Sequence, residues 1–324
     1  MRNDWWDDER RFLGPAFPLP LDQPFTGSDA ARCGVSRYSL QRLVAAGLVR
    51  RLLRGVYAAA QAPDDLLLRA TALGLVLPPA EVVCGRTAAW LHGVDVLPRS
   101  ALWTPPPLEV VDTGDNHVRR PGVDGRRRML LPRDVEVVHG IRVTTAHRTA
   151  LDLGRLLWRY DALAALDGFV RAGVPLEGLL DDVDRFRGFR GVRQLRALAP
   201  LADGRAQSPG DSALRLWLYD AMLPTPESQV LVETGASYVL VDIGDPVCRF
   251  GAEYDGEEFH TSPEDRAHDA ARRSWLVEER GWTIEVFTKH DVYDPGADPV
   301  ARLQEGHERA RRTHRRWSPG RRSA

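Results

Sequence analysis

The 324-residue sequence predicts a multi-domain α/β protein, and three observations predict it. The N-terminal 60 residues read as two short helices and a ribbon, and the middle mixes helices with strands. The last third carries a helix, three strands, a helix and a strand in that order. With 43% hydrophobic and 27% charged residues, the chain can fill several cores and is no disordered or fibrous protein. Lys+Arg 44 against Asp+Glu 45 gives a formal charge of -1, so any electrostatic targeting has to be local.

In the first unit, Ser28 is expected to cap a helix over 29–33, Gly34 to make a tight turn, and Ser36 to cap a second helix. Leu40, Leu43 and Val44 recur there at helical spacing, and Gly47 ends the helix. Residues 48–57 then suit a two-stranded ribbon turning near Arg54-Gly55. Helix, turn, helix and ribbon is the order of a winged helix-turn-helix. Six arginines (32, 37, 42, 50, 51 and 54) face a single acid, Asp29, between Thr26 and Ala60. Arg37, Gln41 and Arg42 fall on the outer side of the second helix, and Arg50, Arg51 and Arg54 on the ribbon. Adjacent elements could therefore meet a DNA groove and its phosphates. The same pattern also fits a small helical domain whose solvated arginine face touches only protein.

In the middle, 86–92 and 146–155 read as helix, 108–111 and 135–143 as strands, and 161–201 as helical. His92, His139 and His147 lack metal-ligand spacing and neighbouring cysteines, which makes them surface or capping residues. Cys33, Cys84 and Cys248 are too few and too scattered for a disulfide framework or a cysteine-based zinc site, as expected of a reducing cytoplasm. The start is charged where a signal peptide needs an apolar segment, and Pro78-Pro79 breaks the apolar stretch of 73–83. The expectation is a cytoplasmic protein without a membrane partner.

The turn-rich run 202–210 opens a new domain. Helix is expected over 212–221, strands over 229–232, 238–243 and 249–254, a second helix over 263–280 ended by Gly281, and a last strand over 282–287. If the hairpin turns within 245–248, Asp242 lies opposite Gly251. Glu253 is then a diagonal neighbour about 7 Å away on the same face, and Asp255 follows by the period of two. Converging carboxylates stay ionised only with a cation or an arginine among them, and oxygen donors suit a hard divalent metal such as Mg²⁺. The plainer alternative is that 253–256 ends a strand in a turn and Asp242 caps a hairpin. The basic tail, 309–322, is expected to fray.

The stretch Ala30-Ala31-Arg32-Cys33-Gly34-Val35-Ser36, with Leu40, Leu43 and Arg54-Gly55-Val56-Tyr57-Ala58, resembles the N-terminal domain of AbiEi-type antitoxins of type IV toxin-antitoxin systems. Gly85-Arg86-Thr87-Ala88-Ala89-Trp90-Leu91-His92-Gly93, residues 138–145 and Arg148-Thr149-Ala150-Leu151-Asp152-Leu153 are similar to the region that follows in that family. The resemblance spans roughly 23–199. It implies a winged helix that represses its own operon and a nucleotidyltransferase-like toxin as partner.

The C-terminal residues Ser208-Pro209-Gly210-Asp211-Ser212, Val241-Asp242-Ile243, Glu253-Tyr254-Asp255-Gly256, His260, Asp269, Arg272-Arg273 and Gly281-Trp282 resemble the PD-(D/E)XK nuclease superfamily, in its branch similar to very-short-patch-repair endonucleases. That resemblance implies a restriction-endonuclease-like domain in which Asp242 and Glu253 hold Mg²⁺ or Mn²⁺. Asp211 stands where the branch usually has glutamate, as a further metal contact. Asp255 replaces the lysine of the superfamily's name, which leaves His260, Arg272 or Arg273 to supply charge or a proton. The implied reaction is metal-assisted hydrolysis of DNA phosphodiesters.

The expected organisation is thus a winged helix (1–60), an antitoxin-like middle domain (61–202), a nuclease-like domain (203–300) and a basic tail (301–324). The leading expectation is a DNA-binding endonuclease. The alternative is a non-catalytic antitoxin-like regulator with a degenerate nuclease fold.

Overall fold

Thr26 rather than Ser28 caps the first helix. Its hydroxyl accepts the Asp29 amide (3.1 Å) and the Asp29 carboxylate accepts the Thr26 amide (2.9 Å), a reciprocal box that satisfies two otherwise orphaned donors. The computed structural model describes residues 12–78, 81–96, 107–112, 123–126, 128–235, 237–255, 263–294 and 296–317. The chain parts into two units, Met1–Leu153 and Gly154–Ala324.

The first unit opens with β1 (Phe25–Thr26), α1 (Gly27–Arg32), α2 (Arg37–Ala45), β2 (Val49–Leu53) and β3 (Val56–Ala59). Ser36 caps α2 as its sequence predicts, accepting the Ser39 amide at 3.0 Å. The ribbon turns at Gly55, whose φ of 83° lies in the left-handed region open to a residue without Cβ. The strands run antiparallel in the order β1-β3-β2. Leu40 and Leu43 of α2 bury against Ala30, Val35, Leu48 and Phe25, the apolar stripe expected from their spacing.

Then come α3 (Leu66–Gly74), β4 (Glu81–Val83), α4 (Gly85–Leu91), β5 (Leu108–Asp112), β6 (Val123–Arg126), β7 (Val135–Val138), β8 (Ile141–Thr144) and α5 (Ala146–Leu156). Their five-stranded sheet has the order β6-β5-β4-β8-β7, with β4–β8 and β5–β6 parallel. The strand expected over 135–143 is a hairpin, because His139 (φ 46°) and Gly140 (φ 81°) reverse the chain between β7 and β8. His92 Nε2 lies 2.8 Å from the Thr144 carbonyl, tying the end of α4 to β8. Arg148 bridges Asp134 (2.6 Å) and Asp152 (2.9 Å), and Arg128 adds a second bond to Asp152 (2.9 Å); all four are nearly excluded from solvent. This ion network fixes the N-terminal half of α5.

The second unit begins with α6 (Arg159–Arg171), α7 (Leu176–Asp182) and α8 (Val192–Leu198). It continues through α9 (Pro209–Asp220), β9 (Glu227–Glu233), β10 (Tyr238–Asp245), β11 (Phe250–Asp255), α10 (Pro263–Glu278), β12 (Thr283–Thr288), α11 (Lys289–Tyr293) and α12 (Val300–Trp317). The order αβββαβ is the expected one. The sheet runs β12-β11-β10-β9, with β11 parallel to β12 and the other pairs antiparallel.

The helices before residue 203 pack with the C-terminal elements, α6 lying along α9. Arg215 of α9 pairs there with Asp167 of α6, both at 2% exposure or less, and the Asp203 amide donates to the same carboxylate at 2.8 Å. The tail expected to fray is helical through residue 317: Leu303, His307 and Ala310 of α12 bury at helical spacing against β11, β12 and α9. Arginine density hid that stripe in the sequence. Residues 318–322 lie outside the described residues.

Removing Asp167 strands a buried guanidinium. Asp167→Ala should therefore lower unfolding free energy in urea by about 3–5 kcal/mol, and Asp167→Leu/Arg215→Leu should recover most of it. A loss below about 1 kcal/mol, the range of exposed pairs, would show that this contact does not hold α6 to α9.

Candidate functional site

Two groups of side chains are candidates, one in each unit. On α2, Arg37, Tyr38, Gln41, Arg42 and Ala45 form a continuous exposed face opposite buried Leu40 and Leu43. Arg51 and Arg54 are exposed on β2 and its turn. Arg50 is directed elsewhere: it donates to the Ala62 carbonyl and lies 3.8 Å from Asp64. Tyr38, 70% exposed on the same face, was not anticipated and adds a ring to the basic helix.

In the second unit, a cavity of about 830 Å³ opens between the first turn of α9, strand β10 and the inner face of α10. Gly210 makes the approach possible. A Cβ there would lie 2.1 Å from the Tyr254 ring, so only glycine lets the start of α9 rest on β11. Asp211 is thereby brought beside Asp242. Both its oxygens are already engaged: Oδ1 accepts the Ser208 hydroxyl (2.7 Å) and Oδ2 the amides of Ser208 (3.0 Å) and Gln207 (3.1 Å). Burial pushes the Asp211 carboxyl above its usual range, and the Ser208 bonds oppose the shift.

The register of the hairpin is offset by two residues from expectation. Gly244 rather than Asp242 faces Gly251, and the pairing Ile243–Ala252 sets Asp242 directly across from Glu253. The turn closes one residue late because Arg249 adopts φ 58° and Asp245 Oδ1 accepts the Val247 amide at 2.9 Å. A shift of two keeps every side chain on its predicted face. Across β10 on the other side, Gln229 of β9 holds φ 54°, a strained conformation for a side chain, and its Oε1 accepts Gln207 Nε2 at 3.1 Å.

Glu253 is 1% exposed and fully claimed by α10. Arg272 grips it bidentately (2.8 and 2.9 Å), and Arg273 Nε reaches Oε2 at 2.7 Å. Arg273 Nη2 also lies 3.4 Å from Asp255. The two arginines expected as auxiliaries are thus the direct counter-ions of the carboxylates. Asp242 fares differently. Among the described residues its one hydrogen bond is accepted from the Tyr254 amide, at 3.4 Å. Burial, then the charges of Asp211 and Glu253, push it up to about 7, with Arg272 opposing. His268 and Asp269 of α10 complete the wall. His260 lies outside the described residues.

The expected residues Asp211, Asp242, Glu253, Asp255, Arg272 and Arg273 are therefore gathered in one place. As arranged, they do not fit a divalent metal: both Asp211 oxygens cap a helix and both Glu253 oxygens hold guanidinium groups, which leaves Asp242 and, beyond its 3.4 Å contact with Arg273, Asp255 with capacity to spare.

Residues 21–60, the helix-turn-helix and ribbon, match the model described as "Transcriptional regulator, AbiEi antitoxin", and residues 81–201 match the "AbiEi antitoxin C-terminal domain". The class of protein defined by this match is an antitoxin-like one with DNA-binding character. Two proteins of Mycobacterium tuberculosis, the uncharacterized proteins MT2308 (strain CDC 1551 / Oshkosh) and Rv2248 (strain ATCC 25618 / H37Rv), are each 35% identical over 280 residues. The alignment covers 86% of this chain and 99% of each relative. The chain belongs to the family of these mycobacterial proteins. Among the described residues no helix is long and apolar enough to cross a membrane.

Asp242 gives a pH test. Its folded value, about 7, exceeds the ordinary 3.8, so between these the folded protein keeps a proton that the unfolded chain has lost. Its contribution to stability is complete at acid pH and is lost as pH rises through 7. Asp242→Asn should flatten that decline and be more stable than wild type at pH 8 by up to about 4 kcal/mol. Parallel stability-pH curves for the two proteins would contradict the assignment.

Proposed function

We propose that the protein is a DNA-binding, antitoxin-like transcriptional regulator. The observation that carries the reading is that the regulator match at 21–60 falls on the helix-turn-helix whose exposed face bears Arg37, Gln41 and Arg42, beside Arg51 and Arg54 of the ribbon. In this reading α2 meets base edges in a major groove and the ribbon arginines meet phosphates. A nucleotidyltransferase-like toxin, encoded beside it, is the proposed partner of the antitoxin-like region.

DNA binding by such a face has a defined salt signature. Each phosphate contact contributes about 0.9 to the slope of log affinity against log salt. Arg51→Ala/Arg54→Ala should lower that slope by about 2 on duplexes from upstream of its own gene, whatever their sequence. Arg37→Ala/Arg42→Ala should instead reduce discrimination between that duplex and a scrambled one. Salt-independent binding, or none, would remove the reading.

A second reading has one observation in its favour. Asp211 and Asp242 line one cavity within an αβββαβ domain, with Glu253 buried across from Asp242, and the proton held by Asp242 marks a surplus of negative charge that Mg²⁺ or Mn²⁺ would relieve. This is the metal-dependent DNA endonuclease similar to very-short-patch-repair enzymes. It requires Glu253 to leave Arg272 and Arg273. Plasmid nicking with Mg²⁺ or Mn²⁺ separates the two readings: the regulator leaves supercoiled DNA intact. Nicking that disappears in both Asp242→Ala and Glu253→Ala would establish the endonuclease.

A further inference from the structure

Away from the carboxylate cavity, the turn that joins β10 to β11 carries three donors of another kind. Asp245 and Cys248 lie on the turn and His307 lies on α12, 59 residues beyond Cys248 in the chain. One carboxylate, one sulfur and one imidazole nitrogen gather with all three atoms within 4.8 Å of one another. His307 Nε2 is 3.1 Å, and Cys248 Sγ 3.2 Å, from the same oxygen, Asp245 Oδ2. We propose that Asp245, Cys248 and His307 form a binding site for a borderline-soft divalent metal, Zn²⁺ first, that clamps α12 to the β10–β11 hairpin.

The donor set decides the class of ion. Sulfur and imidazole are poor ligands for Mg²⁺ or Ca²⁺ and good ones for Zn²⁺. Bond lengths of about 2.0–2.3 Å to a tetrahedral Zn²⁺ separate neighbouring donor atoms by about 3.3–3.6 Å. The two observed separations need only a few tenths of an ångström of expansion to reach that range. The surroundings shield the donors: His307 is 4% and Cys248 7% exposed, and the Phe250 ring packs edge-on against the imidazole at 5.6 Å. Burial and then the Asp245 carboxylate push the free Cys248 thiol up to about 12, and the Phe250 amide directed at the sulfur opposes that shift. Such second contacts orient metal ligands. Three protein ligands leave the fourth position to water.

The protons balance simply. Before metal uptake the thiol hydrogen and the Nε2 hydrogen both point at Asp245 Oδ2. On uptake the thiol proton leaves to solvent and the imidazole shifts its proton to Nδ1, so one proton is released per ion. The cation then occupies the space between the three donors.

The test uses Co²⁺ as a visible stand-in for Zn²⁺, titrated into the full reduced chain. The expected result is a near-ultraviolet thiolate-to-cobalt charge-transfer band that saturates at one equivalent and is displaced by Zn²⁺. Cys33→Ser should retain the band and Cys248→Ser should abolish it. His307→Asn, which keeps a hydrogen-bond donor for Asp245, should weaken Co²⁺ binding by at least about 100-fold, the upper end of what loss of a mere outer-shell partner costs. No band at one equivalent in the wild type, or an undiminished band in folded Cys248→Ser, would overturn the assignment. So would unchanged affinity in His307→Asn.

Discussion

Burying carboxylates beside arginines is the constraint on which both units depend. Arg148 and Arg128 neutralise Asp134 and Asp152 between α5 and the start of β7, Arg215 neutralises Asp167 between α6 and α9, and Arg272 with Arg273 neutralises Glu253 under α10. In each case a planar fork with several donors meets a carboxylate that water cannot reach, a task for which a lysine ammonium is less suited. These pairs are costly to break and do little for net stability compared with apolar packing. What they do is fix position. Arg215 decides that the helices after residue 154 belong with the C-terminal sheet, and Arg272 decides how deep α10 sits over β10 and β11.

The same pairing shapes what each unit can attract. Asp211, Asp242 and Asp269 line the C-terminal cavity and Glu253 and Asp255 lie against Arg272 and Arg273, so among these described residues carboxylates outnumber guanidinium groups, an excess relieved in part by the proton on Asp242. A phosphate backbone is repelled from such a cavity while no metal is present. The exposed arginines of α2 and β2 have the opposite sign, as do Arg311 and Arg312 of α12. A near-neutral total charge conceals this division.

Much of the architecture was legible because it rests on local chemistry. Ser36 as a cap, Gly47 as a stop, Gly55 as a turn and the αβββαβ order each follow from neighbours in sequence. What was not legible depends on partners far away or on contrast that the sequence lacks. Helix α3 begins Leu-Leu-Leu, with no polar alternation to give it a period, and β4 has three residues, too few to alternate. The hairpin register hung on Arg249 accepting a positive φ, which no residue type announces. Arg272 and Arg273 were legible as neighbours of the carboxylates but not as the groups that occupy Glu253. Cys248 looked isolated because its companion His307 sits in a tail that reads as merely basic.

The competition at Glu253 can be weighed. Three hydrogen bonds from guanidinium groups, at about 1.5–3 kcal/mol each, hold it to α10 in a site closed to water. The strain available to recruit a metal is that stored on Asp242, at most about 4 kcal/mol for its displacement to about 7. At its lower end, about 4.5 kcal/mol, the first sum only matches the second, and at its upper end it is about twice as large, so a cation attracted by Asp242 alone gains nothing to spare for pulling Glu253 from its arginines. Catalysis at this site would need a further contribution that moves α10, and a DNA phosphate could supply it by taking over Arg272 and Arg273. Without such an exchange the arginines keep Glu253 bound to α10 and out of the cavity.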